Sequence, residues 1–340
     1  MKAVIARVSG VELVEVDEPE LRPGEALVET SVVGVCGSDT HAAAGEHPFV
    51  PLPYRPGHEV VGVVRAVAGT VTAVSVGDRV TVEPTLPCGN CKMCRTGRSN
   101  ICEHLRFFGC GYEQGGMAER FTVPAGRLHR IPDAMTDLQA ALIEPLATPV
   151  HAVRLAGGVR DKAVVVLGAG TIGLLVLRAA QNDGARRIVV TDPLPQKRER
   201  ALAMGADAVY DATGPDLVEQ VRAELRESAD VVFDCVSVQS TVDQAVRLAS
   251  KGGTVMVVGV PVRPVTVALP ELQDLQVRLQ GSATYMPEDY DASIAMIMSG
   301  RVSPDDFITG RFSLEEAAEA FAASASGSHV KVTISPGPAR

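Results

Sequence analysis

Four cysteines fall within fifteen residues: Cys88, Cys91, Cys94 and Cys102, in PCGNCKMCRTGRSNIC. The first three are spaced C-x2-C-x2-C, and the fourth follows after seven intervening residues. Thiolates this close can gather around one ion. A tetrahedral set of four is the habit of structural zinc, which is borderline-soft and has no geometric preference of its own. A disulfide cluster or an iron–sulfur site would use the same residues. Disulfides suit a secreted chain, and this one opens MKAVIARV without a charged-then-apolar leader. Iron–sulfur chemistry would call for electron transfer, which nothing else in the sequence requests. Structural zinc is therefore the expectation. Cys36 stands apart in GVCGSDTH, while Cys110 and Cys235 read as core or near-core thiols. The odd total of seven cysteines points to a reducing cytoplasm.

A second signature is the run G-A-G-T-I-G. Gly168, Gly170 and Gly173, with Thr171 and Ile172 between them, follow the apolar strand AVVVL and open a helical stretch. The first glycine permits a tight turn, the second leaves room for a pyrophosphate, and the third lets helix and strand pack closely. The helix start then offers unpaired N–H groups to phosphate. Asp192 closes the next strand, RRIVVTD, nineteen residues past Gly173. A carboxylate there accepts hydrogen bonds from the adenosine ribose and repels a 2′-phosphate, so NAD is expected over NADP. Lys197 and Arg198, just beyond, are basic groups that could favour the phosphate instead, or simply a solvated helix face.

Other elements must position these groups. A chain of 340 residues is too long for one core, and at 46% apolar it can bury two. A net charge of −9 with no basic stripe argues against a nucleic-acid partner. No apolar run approaches the roughly 20 residues a membrane span needs. Up to about residue 145, short Val-rich runs (ALVETSVVGV, HEVVGVVRAV, GDRVTVEP, ERFTVP) alternate with turns, the texture of a compact barrel-like domain. From about 150 to 280, continuous apolar strands alternate with helices, including one over STVDQAVRLASKG. This predicts a parallel sheet covered on both faces, a Rossmann-type doubly wound fold. Later, DYDASIAMIMSG and SLEEAAEAFAASA read as helices and HVKVTIS as a strand returning to the first domain. The expected division is residues 1–146 with 282–340 as one domain and 147–281 as a nucleotide domain inserted into it. The terminal SPGPAR reads as a mobile end.

The motifs CGSDTH, GHEVVG, the cysteine run, EPLATPVH, GAGTIG and DFITGRFSLEEAAEAF appear in one order along essentially the whole chain. In them the sequence resembles the zinc-dependent medium-chain dehydrogenases, the alcohol and polyol dehydrogenase family. The resemblance implies an α/β protein with a GroES-like β-rich catalytic domain beside the Rossmann domain. It also implies two zinc ions per chain, one structural on the four cysteines and one catalytic on Cys36, His58 and Glu144. No spacing in the sequence brings those three together. A glutamate at the third position, where the ethanol-type branch has cysteine, fits the sorbitol- and xylitol-type branch. Glu59, beside His58, is a further candidate that could trade places with Glu144 or hold a water on the metal.

The resemblance further implies that the Ser38 hydroxyl takes the substrate proton and passes it, through the nicotinamide ribose, to His41 near solvent, where a near-neutral pKa suits it. Asp39 is expected to orient the loop or a ligand. A cleft between the domains would bring NAD and substrate together. The expected substrate is a polyol or sugar alcohol. Sorbitol itself is put in question by Ala42 and Thr284-Tyr285, where sorbitol-oxidising relatives carry an aromatic and Arg-Tyr. Phe49, Phe107, Phe108, Tyr112, Glu113 and Tyr285 are candidate pocket residues. The alternatives are a threonine-type amino alcohol, a cyclitol or a simple alcohol and, more remotely, a non-catalytic dinucleotide or zinc sensor. The expected assembly is a homodimer or homotetramer, paired across an open sheet edge near GTVMVVGVP.

Overall fold

The strand Glu25–Val35 is the spine of the amino-terminal half. Its sequence EALVETSVVGV is rich in β-branched residues, and burial alternates residue by residue until Val32 and is continuous from there to Val35. It belongs to a seven-stranded sheet ordered Ile308–Ser313, Lys331–Ser335, Glu25–Val35, Glu59–Val67, Arg79–Val82 and Leu128–Arg130, with Arg120–Pro124 also paired to the spine. Arg120–Pro124 takes the first half of one edge, and Lys331–Ser335 takes the second half. The structure, a computed structural model, describes residues 1–337. Of the stretch read as a mobile end, Pro338, Ala339 and Arg340 lie outside the described residues.

The register of this sheet decides where chemistry can occur. Gly34 stands opposite Glu59, and Val35 opposite Val332, both in antiparallel pairs. Three strand ends therefore meet at one place. One leads into Cys36, one follows His58, and one begins at Lys331. Gly34 is required there for space. A Cβ on it would lie 1.9 Å from Oε2 of Glu59, its cross-strand partner. Beneath the sheet, Val28, Val33, Val60, Val64, Val80, Phe121, Leu314 and Ile334 form one apolar cluster. Each such side chain contributes about 1.5–3 kcal/mol on burial, which holds the register.

The described contacts divide the chain into two units, Met1–Pro145 with Met286–Arg340, and Leu146–Tyr285. The second unit carries a six-stranded sheet ordered Ala208–Tyr210, Arg187–Thr191, Ala163–Leu167, Ala229–Asp234, Ala249–Val257 and Arg278–Gly281. All neighbours are parallel. Numbered along the unit, this is the 3-2-1-4-5-6 order of dinucleotide-binding sheets. The first strand is buried at every residue, as expected for a strand covered on both faces. One helix is shorter than its pattern predicts. It ends at Leu248, because Ala249 turns extended (φ −63°, ψ 142°) and pairs with Ala229, after which the register shifts across Ser250–Gly253 and pairing resumes at Thr254. Among the described residues, no helix is long and apolar enough to cross a membrane.

Gly34→Ala is expected to force the Glu59 carboxylate out of its place and to cost about 3 kcal/mol or more, the scale for breaking a buried ion pair. Gly37→Ala, whose added Cβ meets nothing within 4 Å, should stay within about 1 kcal/mol of the parent. Urea unfolding midpoints of the two variants provide the comparison.

Candidate active site and metal centres

At the meeting of the three strand ends, Cys36, His58 and Glu59 offer a thiolate, an imidazole and a carboxylate whose ligand atoms lie within 4.8 Å of one another. His58 and Glu59 are 3% and 1% exposed. A buried set of soft and borderline donors suits zinc. Glu144, expected as the third ligand, is not in that set. It lies buried in the first turn of the helix Ile143–Leu155, near enough that its charge acts on both His58 and Lys331.

Lys331 lies outside every motif of the sequence, and its one signal is a lone lysine inside the run HVKVTIS. It is 4% exposed, and its ammonium donates to both Glu59 oxygens, at 2.6 and 2.8 Å, and to the Val35 carbonyl at 3.2 Å. Burial would lower its pKa, but the charges of Glu59, Cys36 and Glu144 outweigh that and raise it. His58 behaves alike. Burial alone would depress it, yet Asp39, Cys36 and Glu144 hold it well above the ordinary histidine range. Both shifts have one origin: negative groups crowd a dry site with few cations. A divalent cation placed among them would relieve that crowding, and this is the fit the donor set makes with zinc.

The short helix Gly37–Ala43 begins directly after Cys36. It carries Ser38 partly buried and His41 exposed, one turn apart. Asp39, fully buried, turns back. Its Oδ2 accepts the Cys36 N–H at 3.1 Å, and its Oδ1 lies 3.7 Å from His58 Nδ1. Of the candidate pocket residues, Phe107 sets its ring edge-on to His58, with centroids 5.6 Å apart. Phe108 and Tyr285 are buried, Phe49 is exposed, Tyr112 lies under the Arg106 guanidinium, and Glu113 faces Arg22 from an exposed position.

The four clustered cysteines form a second donor set, again with all ligand atoms within 4.8 Å. All are free thiols. Cys91 Sγ stands 3.5 Å from Cys94 Sγ and 3.8 Å from Cys102 Sγ. A disulfide needs about 2.05 Å. Four sulfurs at about 2.3 Å from a tetrahedral zinc are roughly 3.8 Å apart, so the spacing fits one ion. Backbone N–H groups of Cys94 and Glu103 lower the Cys91 thiol to about 6, while burial raises Cys94 to about 12. Four thiols cannot all ionise side by side without a cation between them.

In the second unit, the glycine run occupies the turn between the strand Ala163–Leu167 and the helix Thr171–Asp183. Gly168 has φ +95°, and a Cβ there would meet Val236 at 2.5 Å. At Gly173 a Cβ would lie 1.8 Å from the Gly168 carbonyl oxygen. Gly170 differs. It caps the helix, has no side chain of its own, and a Cβ there would meet nothing within 4 Å, so open space lies against the backbone. That is the cradle a pyrophosphate requires, lined by Thr171 and Ile172 at the helix start. Asp192 sits beside it, 5% exposed, and each oxygen accepts one backbone N–H at 2.9 Å, from Ala169 and from Leu194. Arg198 donates to the carbonyls of Asp192 and Pro193 and faces Asp211 at 3.5 Å, while Lys197 stands partly exposed on the same helix.

The chain is similar to known proteins along nearly its whole length. Residues 22–133 match the alcohol dehydrogenase GroES-like domain, and residues 171–299 match the zinc-binding dehydrogenase domain. The chain is 32% identical to sorbitol dehydrogenase of Bombyx mori, over 98% of its own length and 97% of that protein's. It is 30% identical to D-xylulose reductase A of Aspergillus oryzae, over 93% of its length and 91% of the relative's. A zinc-binding dehydrogenase of Sinorhizobium meliloti 1021, solved bound to NADP, superposes with a TM-score of 0.90 at 33% identity, covering 98% of this chain and 99% of that one. With both domains matched and a relative aligned along nearly the whole length, the chain belongs to the zinc-dependent medium-chain alcohol and polyol dehydrogenase family.

Proposed function

We propose that this protein oxidises a secondary hydroxyl of a polyol or sugar alcohol with NAD. The observation that carries the reading is the convergence of Cys36, His58 and buried carboxylates at the start of a helix that bears Ser38 and His41. Bound zinc supplies Lewis acidity to a hydroxyl presented to it, and NAD supplies the hydride acceptor. Cys36, His58 and a glutamate would hold the metal. Glu144 is the proposed third ligand, because both Glu59 oxygens are already engaged by Lys331. Ser38 would accept the substrate proton within the site, and His41 would release it at the exposed end of the same helix turn. The names of the sorbitol and xylulose relatives support a polyhydroxylated substrate.

NAD is favoured by Asp192, whose carboxylate is held in place by two amides and would repel a 2′-phosphate. Arg198, the nearby cation, is engaged by two carbonyls and faces Asp211. The NADP bound to the Sinorhizobium relative is the observation behind the second reading, NADP. A cytoplasmic setting is in keeping with free thiols in a zinc lobe. A dimer or larger assembly is supported by the strand Arg278–Gly281, which ends its sheet with one side unpaired among the described residues, and by Leu279, Val260 and Val262, exposed on it and in the segment before it.

Cys36→Ser should reduce polyol-dependent NAD reduction by roughly a thousandfold or more and halve the zinc content while the protein stays folded. Wild-type turnover in that variant would refute the mechanism. Absorbance at 340 nm against a panel of C4–C6 polyols, threonine and short alcohols identifies the substrate; no signal from any would leave only the cofactor assignment.

Lys331→Met should destabilise the zinc-free protein by about 3–5 kcal/mol through the unpaired Glu59 charge, and the loss should shrink when zinc is added. Paired thermal melts with and without zinc measure it. Asp192→Ser should narrow the preference for NAD over NADP by roughly 10- to 100-fold, read as the ratio of kcat/KM values. Light scattering at micromolar concentration should return a multiple of the 35.7 kDa chain mass.

A further inference from the structure

Tyr54 stands four residues before His58, in PLPYRPGH. Its backbone is held by an antiparallel bridge to Ala6, with N–H to O bonds of 3.0 Å in both directions. Its ring lies in a small apolar cluster with Ala6, Ala42 and Val50, and with Leu52 and Cys110 against it. A phenylalanine would fill that cluster equally well, so packing does not explain the hydroxyl. The hydroxyl leaves the cluster and reaches Asp39. It donates to the Asp39 carbonyl oxygen at 3.1 Å, with the carboxylate Oδ1 at 3.4 Å.

Asp39 is the joint between the two ligand-bearing segments. One of its oxygens accepts the Cys36 N–H, and the other faces His58 Nδ1. That Nδ1 is buried and has no hydrogen-bond partner among the described residues. Asp39 Oδ1, at 3.7 Å, is the acceptor placed to receive its proton once the site tightens by a few tenths of an ångström. A proton kept on Nδ1 leaves Nε2 as the nitrogen for a metal. The orientation of His58 thus depends on where Asp39 stands, and the Tyr54 hydroxyl is a side-chain group that bonds Asp39 at its carbonyl, beside the carboxylate.

We propose that Tyr54 is a positioning residue for the catalytic metal centre: through its hydroxyl it sets Asp39, and through Asp39 it presents His58 Nε2 to zinc. The proposal rests on the metal-site reading given above. Tyr54 is not in the donor set of the metal site, and its action is mechanical.

The test is Tyr54→Phe, which removes one oxygen and keeps the ring. Zinc transfer to a chromogenic chelator should become roughly three- to tenfold faster in the more labile phase, a step further from the metal than partners whose loss costs 10–100-fold. The slow phase, from the four-cysteine lobe, should be unchanged. Cobalt substituted for zinc should show shifted visible bands, and kcat should fall more than KM for NAD. If Tyr54→Phe releases metal at the parent rate with parent cobalt bands, the proposal is overturned, and it is equally overturned if the unfolding midpoint alone changes. A parent protein with only the slow phase would instead overturn the catalytic-metal reading, and this inference with it.

Discussion

The ion pair between Lys331 and Glu59 is the contact on which the catalytic half is organised. It joins the carboxyl-terminal strand to the strand that follows His58, and the same ammonium reaches the carbonyl of Val35, one residue before Cys36. Three segments distant in the chain are thereby fixed at one point. Both charges are almost completely buried, so either alone would carry a large desolvation cost. The gap at Gly34 admits the carboxylate, and the antiparallel register brings it opposite. A shift of one residue in that register would turn Glu59 to the other face and separate it from Lys331.

Around this pair the charge balance is uneven. Asp39, Glu59, Glu144 and the Cys36 thiol share a dry volume with Lys331 and His58. The raised affinity of His58 and Lys331 for protons follows from that excess of negative groups, and it is the electrostatic setting in which a doubly charged cation is most favoured. Glu59 and Glu144 differ in what already holds them. Glu59 has a cation bonded to both oxygens, and Glu144 enters from the first turn of the helix Ile143–Leu155. Cys36, His58 and Glu59 bring their ligand atoms within 4.8 Å of one another, and Glu144 lies outside that set.

The dinucleotide unit works by exclusion of atoms. Gly168 and Gly173 leave no room for a side chain, because neighbouring atoms of the turn and of the segment after Asp234 occupy that space. Gly170 faces open space, so its missing side chain serves whatever approaches from outside. Asp192 is pinned by two amides, one of them from the glycine turn itself, so the same carboxylate that would select the ribose also stiffens the loop that would cradle the phosphates.

Much of this was legible from residue order. The glycine run, the cysteine spacing and the alternation of strands and helices are local patterns, because each depends on neighbours within a few turns of chain. The helix ends at Leu248, since Ala249 turns extended and pairs with Ala229 where the local pattern still looks helical. The catalytic donor set was reached only through resemblance, and Lys331 and Tyr54 were missed altogether. They act on Glu59 and Asp39 across 272 and 15 residues of chain. By itself the sequence marked the cysteine run and the glycine turn as candidates for metal and dinucleotide. Only the tertiary structure decided which carboxylate meets Cys36 and His58 and what holds it there, because a buried charge finds its partner through sheet register and packing, which no local spacing encodes.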